Sequence, residues 1–153
     1  MTSNRTSSRS SVSSRNPLGF PVLALIGLAA LGLPRVVLHD LHLIEGAAPL
    51  NWLLAIGPVA IWIVLAVIKK VPNPFLSLLV VGAIFGVMLV AAHQILWDVA
   101  FQGAPPTIGN GAAATLIPRI AAIPGGIFTG TMIGAISGLI AWGIQAIGRR
   151  AAA

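Results

Sequence analysis

The side chains best able to do chemistry are three histidines and three acids, and most of them lie in two short stretches. The sequence HDLHLIE places His39 and His42 three residues apart, so both would share one face of a helix. His93 and Asp98 lie close together near the end of a later apolar segment. Histidine with carboxylate suits a borderline metal such as zinc. Histidine also titrates near neutrality, which suits a pH-sensitive contact.

A simpler interpretation of these residues is that they are solvated, because polar side chains crowd the ends of membrane helices. HxxH is also a pattern of low specificity, and we favour the solvated rim. The alternatives are a structural hydrogen-bond cluster, or metal or proton chemistry at His39, His42, His93 and Asp98. His93 is the most interesting of the four, since it lies about one turn inside Trp97 and an ionisable residue within a span is a default functional hypothesis. No cofactor is predicted.

The composition indicates that these residues belong to a membrane protein. Of 153 residues, 57% are hydrophobic and only 8% are charged, against about 25% in ordinary soluble domains. The absence of cysteine excludes disulfides and thiolate chemistry. The net charge of +6 is scattered along the chain, without the continuous basic face that nucleic-acid binding needs. We therefore expect the lipid bilayer, and not nucleic acid, as the partner of these charges.

Four apolar segments define the predicted architecture. They follow a Ser/Arg-rich tail, residues 1–16, whose composition predicts a disordered cytoplasmic segment. Each is long enough to cross a hydrocarbon core of about 30 Å, and spans in lipid must be helices. We predict an all-α bundle of four transmembrane helices forming one domain, residues 17–150. The approximate helices are 18–38 (with a kink at Pro34), 52–68 (with Pro58 inside), 75–97 and 127–147, joined by loops 39–51, 69–74 and 98–124.

The loop from Asp98 to Pro118 is rich in Gly, Ala and Pro and is predicted to be irregular, with residues 112–123 on the membrane surface. A cleaved signal peptide is the less favoured interpretation of the first segment, because no small-x-small site follows it.

The basic residues predict the orientation. With the N-terminus inside, loops 39–51 and 98–124 are outer and loop 69–74 is inner. Only Arg35 and Arg119 are then outside, as are all three acids. This asymmetry is the positive-inside rule, and it places both termini in the cytoplasm of a cell whose plasma or inner membrane holds the chain. The inside residues are Arg5, Arg9, Arg15, Lys69, Lys70, Arg149 and Arg150.

Four glycines recur at a spacing of four in the last segment, and we call them the glycine ladder: Gly126, Gly130, Gly134 and Gly138. Each would cost about 1 kcal/mol relative to alanine in an exposed helix. In lipid, however, small residues allow the close backbone approach that drives helix association. The pattern resembles the glycine-zipper motif of diverse membrane proteins. Packing on Gly82 and Gly86 of the third segment is the favoured interpretation, and a homo-oligomer assembled along the ladder is the alternative.

These patterns identify no family and no activity. We expect a non-enzymatic accessory or assembly protein that packs through glycine-rich faces with a second copy or with another membrane protein. A small-solute or ion transporter, or a channel subunit, is the alternative, although no charge lies in the central third of any span. A metal-binding membrane enzyme that uses the outer histidines ranks last.

Overall fold

The structure, a computed structural model, describes residues 16–111 and 113–152, so the predicted tail lies outside it except for Asn16. The described chain forms six helices and no strand. They are α1 (Val22–Ala30), α2 (Leu33–Asp40), α3 (Pro49–Ile68), α4 (Pro74–Ile95), α5 (Trp97–Ala100) and α6 (Leu116–Ala151).

Four helical stretches are long and apolar enough to cross a membrane: α1 together with α2, then α3, α4 and α6. The predicted all-helical fold with four such helices is therefore confirmed. Successive stretches run in opposite directions, so each end of the bundle collects a distinct set of residues. We call the end with His39, His42 and His93 the histidine end, and the end with Lys69 and Lys70 the lysine end.

The first span is broken between Ala30 and Leu33, before the predicted kink at Pro34. A proline inside a helix would clash with the carbonyl four residues earlier, here that of Ala30, and cannot donate to it. In the structure Pro34 lies instead in the first turn of α2, where its missing N–H is harmless. Gly32 allows the turn to pack on Phe85, since a Cβ there would lie 2.5 Å from the ring atom Cε2.

The last helix begins eleven residues before the predicted start at residue 127. The predicted outer loop 98–124 therefore ends in helix, the stretch predicted to be irregular ends within the first turn of α6, and most of the segment 112–123 belongs to α6. Pro118 lies in the first turn, and Pro124 is accommodated inside the helix. With 36 residues the helix is about 54 Å long at 1.5 Å per residue, which exceeds a hydrocarbon core of about 30 Å.

Six glycines form the contact between α4 and α6, which we call the glycine seam: Gly82, Gly86, Gly126, Gly130, Gly134 and Gly138. A Cβ on Gly82 would lie 2.5 Å from the Cα of Gly134, and one on Gly86 would lie 2.9 Å from the carbonyl oxygen of Ile127. A Cβ on Gly138 would lie 2.8 Å from the carbonyl oxygen of Phe75. The two backbones therefore touch along the whole ladder, and α4 covers the face that a second copy would need.

Side-chain hydrogen bonds link helices outside this seam. α1 packs on α4, and α3 packs chiefly on α6, while α1 and α3 have little direct contact. Trp62 on α3 spans the gap, because its indole N–H donates to the carbonyl of Leu28 at 2.7 Å. Gln145 on α6 donates to the carbonyl of Ala66 at 2.9 Å. We call such contacts side-chain bridges.

Candidate functional site

The histidine end is formed where α2, α4 and α5 meet. α2 ends at Asp40, and His42 follows in the left-handed conformation with a φ of 56°. The N–H of Leu43 donates to the carbonyl of Leu38 at 2.9 Å, which closes the helix end. The last turn of α4 supplies His93.

Asp40 is the centre of this end of the bundle. Its side chain is only 3% exposed, and its Oδ2 atom lies 2.5 Å from Nδ1 of His93. Its Oδ1 atom lies 3.6 Å from Nδ1 of His39. The two histidine side chains are 43% and 52% exposed, respectively. One buried carboxylate is thus shared by histidines from two different spans.

Asp40 and His93 are close enough to form an ion pair. In the described part of the chain, however, no donor has the angle needed for a hydrogen bond to Oδ2 of Asp40. The direction of the N–H depends on the ring tautomer and orientation of His93. Two bare lone pairs would repel at this separation, so a proton lies between Nδ1 of His93 and Oδ2 of Asp40. A buried carboxylate needs such a partner, since an unpaired charge is costly away from water.

A pocket of about 310 Å³ opens beside this pair. Trp97 and Phe101 form one wall, with ring centroids 4.8 Å apart. Its polar lining consists of His39, Asp40, His42 and His93. Its volume is at the lower limit of the range of about 300 to 1,000 Å³ that is usual for small-molecule sites.

Of the four residues predicted as candidates for metal or proton chemistry, three line one pocket and the fourth lies outside it. His39, His42 and His93 line the pocket, whereas Asp98 is exposed on α5 and is not part of the lining. His39 and His42 do not share a helix face, because α2 ends between them. His42 contacts Gln102 instead, with their Nε2 atoms 3.5 Å apart.

Asp40 is the residue that the sequence did not single out. A signal for it exists, because Asp40 lies four residues after Val36 and therefore on the same face of α2. Both side chains are buried, at 3% exposure each. The position of Asp40 on the apolar face of α2 could therefore have indicated that its carboxylate is buried.

The donor set does not form a metal centre. Within residues 16–111 and 113–152, no group of three or more His, Cys, Asp or Glu side chains is arranged to hold a metal ion. We therefore propose no metal at the predicted residues His39, His42, His93 and Asp98.

Arg119 fixes the start of α6 beside the pocket. Its Nε donates to Oε1 of Gln94 at 2.9 Å and its Nη2 donates to the Gln94 carbonyl at 2.7 Å. Gln94 returns a bond from Nε2 to the carbonyl of Arg119 at 2.9 Å. The guanidinium carbon also lies 5.7 Å from the centroid of the Trp97 ring, which is within cation–π range. The early part of α6 is thus held against α4 and the pocket wall.

Arg35 lines a second, smaller cavity inside the bundle. The cavity has a volume of about 90 Å³, and Pro58, Trp62 and Phe85 contribute to its mostly apolar lining. The Nε of Arg35 donates to Oδ1 of Asn51 at 3.2 Å, and Asn51 in turn donates to the carbonyl of Gly46 at 2.7 Å. These bonds tie α2 to the start of α3.

The fold defines the class as an all-helical chain with four apolar helices of membrane-crossing length. No protein-family model matches the chain, and no curated protein or solved structure is significantly similar to it.

Proposed function

We propose that the chain is a multi-pass protein of the cell membrane, the plasma or inner membrane, with both termini in the cytoplasm. Four apolar helices of sufficient length support the membrane location. The charge distribution supports the orientation, because the lysine end holds four basic residues, Lys69, Lys70, Arg149 and Arg150, and the histidine end holds all three acids. An excess of basic residues in short loops marks the cytoplasmic side.

Within the membrane we propose a non-enzymatic accessory or assembly role. The supporting observation is that three polar side chains of the apolar helices connect one helix or segment to another. Trp62 donates to Leu28, Gln145 to Ala66, and Ser77 to the carbonyl of Leu18 at 2.6 Å. Side chains engaged in this way hold the bundle together, which is what a scaffold requires.

The partner in this role is a second copy of the chain or another membrane protein, and it must use a surface other than the glycine seam, which α4 and α6 bury between them. The α3 helix offers more free surface than α4. In their most apolar windows, 22% of the α3 residues are buried, against 39% for α4.

Two experiments test this proposal. Reporter fusions within residues 69–74 and after Arg150 should both report the cytoplasm. Native mass spectrometry in nanodiscs, with crosslinking in the native membrane, should find the chain bound stoichiometrically to a second copy or to one defined membrane protein. A chain that is monomeric in nanodiscs and crosslinks to no protein in its own membrane would contradict the accessory role.

The contact between Asp40 and His93 favours a second candidate, proton-linked transport of an ion or small solute. Carboxylates and histidines of membrane helices form proton relays in pumps and transporters, and these two side chains come from the last turns of α2 and α4. Purified chain in liposomes with a pH-sensitive dye should then collapse a proton gradient, and Asp40→Asn and His93→Gln should each abolish the flux. If the wild type gives no flux with common ions and solutes on either side, this candidate is rejected.

A further inference from the structure

A groove lies between α1 and α3 at the lysine end of the bundle. Its volume is about 530 Å³, and its lining is mostly apolar with one charged residue. The residues that matter here are Phe20, Ala24, Gly27, Leu28, Leu65 and Lys69. Lys69 lies at the C-terminal end of α3, where the groove reaches the lysine end.

The groove exists because α1 and α3 pack on different neighbours. α1 lies on α4 and α3 lies chiefly on α6, so the two have little contact of their own. The hydrogen bond from Trp62 to the Leu28 carbonyl connects α1 and α3 only at the end of the groove that is nearer to the histidine end. Below it, Gly27 provides no side chain, and a Cβ there would meet no described atom outside its own helix within 4 Å.

The dimensions fit part of a lipid chain. Seven residues separate Pro21 from Leu28, which corresponds to about 10 Å along a helix. The hydrocarbon of one leaflet is about 15 Å deep, half of a core of about 30 Å. An apolar groove of this length could hold most of one acyl chain of a phospholipid. The cation at its end would then lie beside the headgroup of that lipid.

The charges at this end indicate the sign of the headgroup. Lys69, Lys70, Arg149 and Arg150 are all at the lysine end, whereas the three acids of the chain are at the other end. The Lys69 side chain is exposed, and neither ion pair in the described part of the chain includes it. Basic residues beside a membrane surface attract anionic lipids.

We propose that this groove is a binding site for an anionic phospholipid, with one acyl chain along Ala24, Gly27 and Leu65 and the phosphate at the ammonium group of Lys69. The site rests on the proposed membrane location. It goes beyond the proposed function, because it names a ligand and a place for it. It also requires neither a protein partner nor a particular orientation.

Native mass spectrometry of the full chain in detergent tests the ligand class. Phosphatidylglycerol and phosphatidylcholine with identical acyl chains are added separately at the same concentrations. One phosphatidylglycerol should remain bound per chain, about fivefold more tightly than phosphatidylcholine, which is the ratio equivalent to about 1 kcal/mol per basic residue near an anionic surface. Equal retention of the two lipids would overturn the proposal.

Two pairs of variants test the place. Gly27→Leu fills the groove and should abolish the bound lipid. Its control Gly57→Leu, at a glycine on α3 whose Cβ also meets no described atom within 4 Å, should bind as the wild type does. Lys69→Ala should weaken phosphatidylglycerol binding about fivefold, while Lys70→Ala, outside the groove lining, should weaken it less.

Each other outcome has a defined meaning. If Lys69→Ala and Lys70→Ala weaken binding equally and Gly27→Leu has no effect, the lipid binds the basic surface at large and the groove is not its site. If Gly27→Leu removes a dimer instead of a lipid, a second copy occupies the groove. Either result rejects the proposal, and neither depends on the topology reporters or on crosslinking to a partner protein.

Discussion

The glycine seam and the side-chain bridges are two ways of joining helices within one small bundle. At the seam, α4 and α6 touch through backbone atoms because side chains are missing. On the other side, α1 and α3 remain apart and a single indole, that of Trp62, reaches across to a carbonyl. Lipid gives little hydrophobic drive for helices to associate, so contacts come from close packing or from hydrogen bonds. The seam leaves no space, whereas the bridge leaves a groove.

The strongest test of this contrast is to add side chains at the seam. Gly82→Leu would push its side chain into the backbone of Gly130 and Gly134. We expect a loss of about 3 kcal/mol or more in the free energy of unfolding, since overpacking a tight contact costs about 1 to 3 kcal/mol and occasionally more. Denaturant unfolding in detergent micelles measures it.

The matched control for the seam is Gly57→Leu, because its Cβ meets no described atom within 4 Å. We expect no loss, and a gain of up to about 1 kcal/mol, because leucine has a higher helix propensity than glycine. Similar losses for Gly82→Leu and Gly57→Leu would mean that the cost at Gly82 does not come from the α4–α6 contact.

Removing the main bridge should have the next largest effect. Trp62→Phe keeps an aromatic ring but removes the indole donor of the Leu28 carbonyl, which still accepts from the N–H of Leu31 at 3.2 Å. We expect a loss of about 1.2 kcal/mol, within the range of about 0.5 to 1.5 kcal/mol for the net contribution of one hydrogen bond. Thermal unfolding measures it, with Trp142→Phe as the control, since Trp142 is 54% exposed. Equal effects of the two substitutions would contradict the role of the bridge.

The histidine end provides a contact between two titratable side chains, Asp40 and His93. A double-mutant cycle of Asp40→Asn and His93→Gln should give a coupling energy of about 1 kcal/mol, within the usual range for contacting residues. We expect a coupling energy of this small size because His93 is 43% exposed and solvent screens its interaction with Asp40. The same cycle with His39→Gln should give less, because His39 lies 3.6 Å from the carboxylate. A larger coupling for His39 would reverse our assignment of the partner.

The smallest effect is expected where α6 begins. Arg119→Lys keeps the charge but loses the paired bonds to Gln94. We expect a cost of about 0.6 kcal/mol, the average for polar contacts between membrane helices, and faster amide hydrogen exchange in residues 116–123. Arg149→Lys is the control, because its contact with Gln145 is exposed and 3.4 Å long. Unchanged exchange in Arg119→Lys would show that other contacts hold this segment.

Much of the fold could be predicted because long apolar helices leave a strong composition signal. The four apolar helices and the approximate ends of α3 and α4 follow from apolar runs of limited length. The two places where the helices differ from the predicted ones both involve proline. The break before Pro34 depends on Phe85 packing against Gly32, and the continuation of α6 through Pro124 accompanies the contacts of Arg119 and Gly126 with α4. Both depend on residues distant in sequence.

The candidate site was harder to predict because it depends on a contact between side chains of two different helices. Histidines near the span ends are visible in the sequence, and three of them do line one pocket. The sequence gives no measure of which carboxylate they meet. Asp98 lies nearer to His93 in the chain, yet Asp40 from another span is the one in contact.

The amino-acid sequence by itself determined the helical class, the number of apolar segments, and the separation of basic residues from acidic ones. These properties depend on composition and on position along the chain, because the apolar character of each segment is set by its own residues. Only the tertiary structure decided that the glycine ladder is covered by α4, that Asp40 is buried against His93, and that a groove remains between α1 and α3. Those features depend on distances between spans, which are set by how closely backbones can approach and by how far side chains can reach.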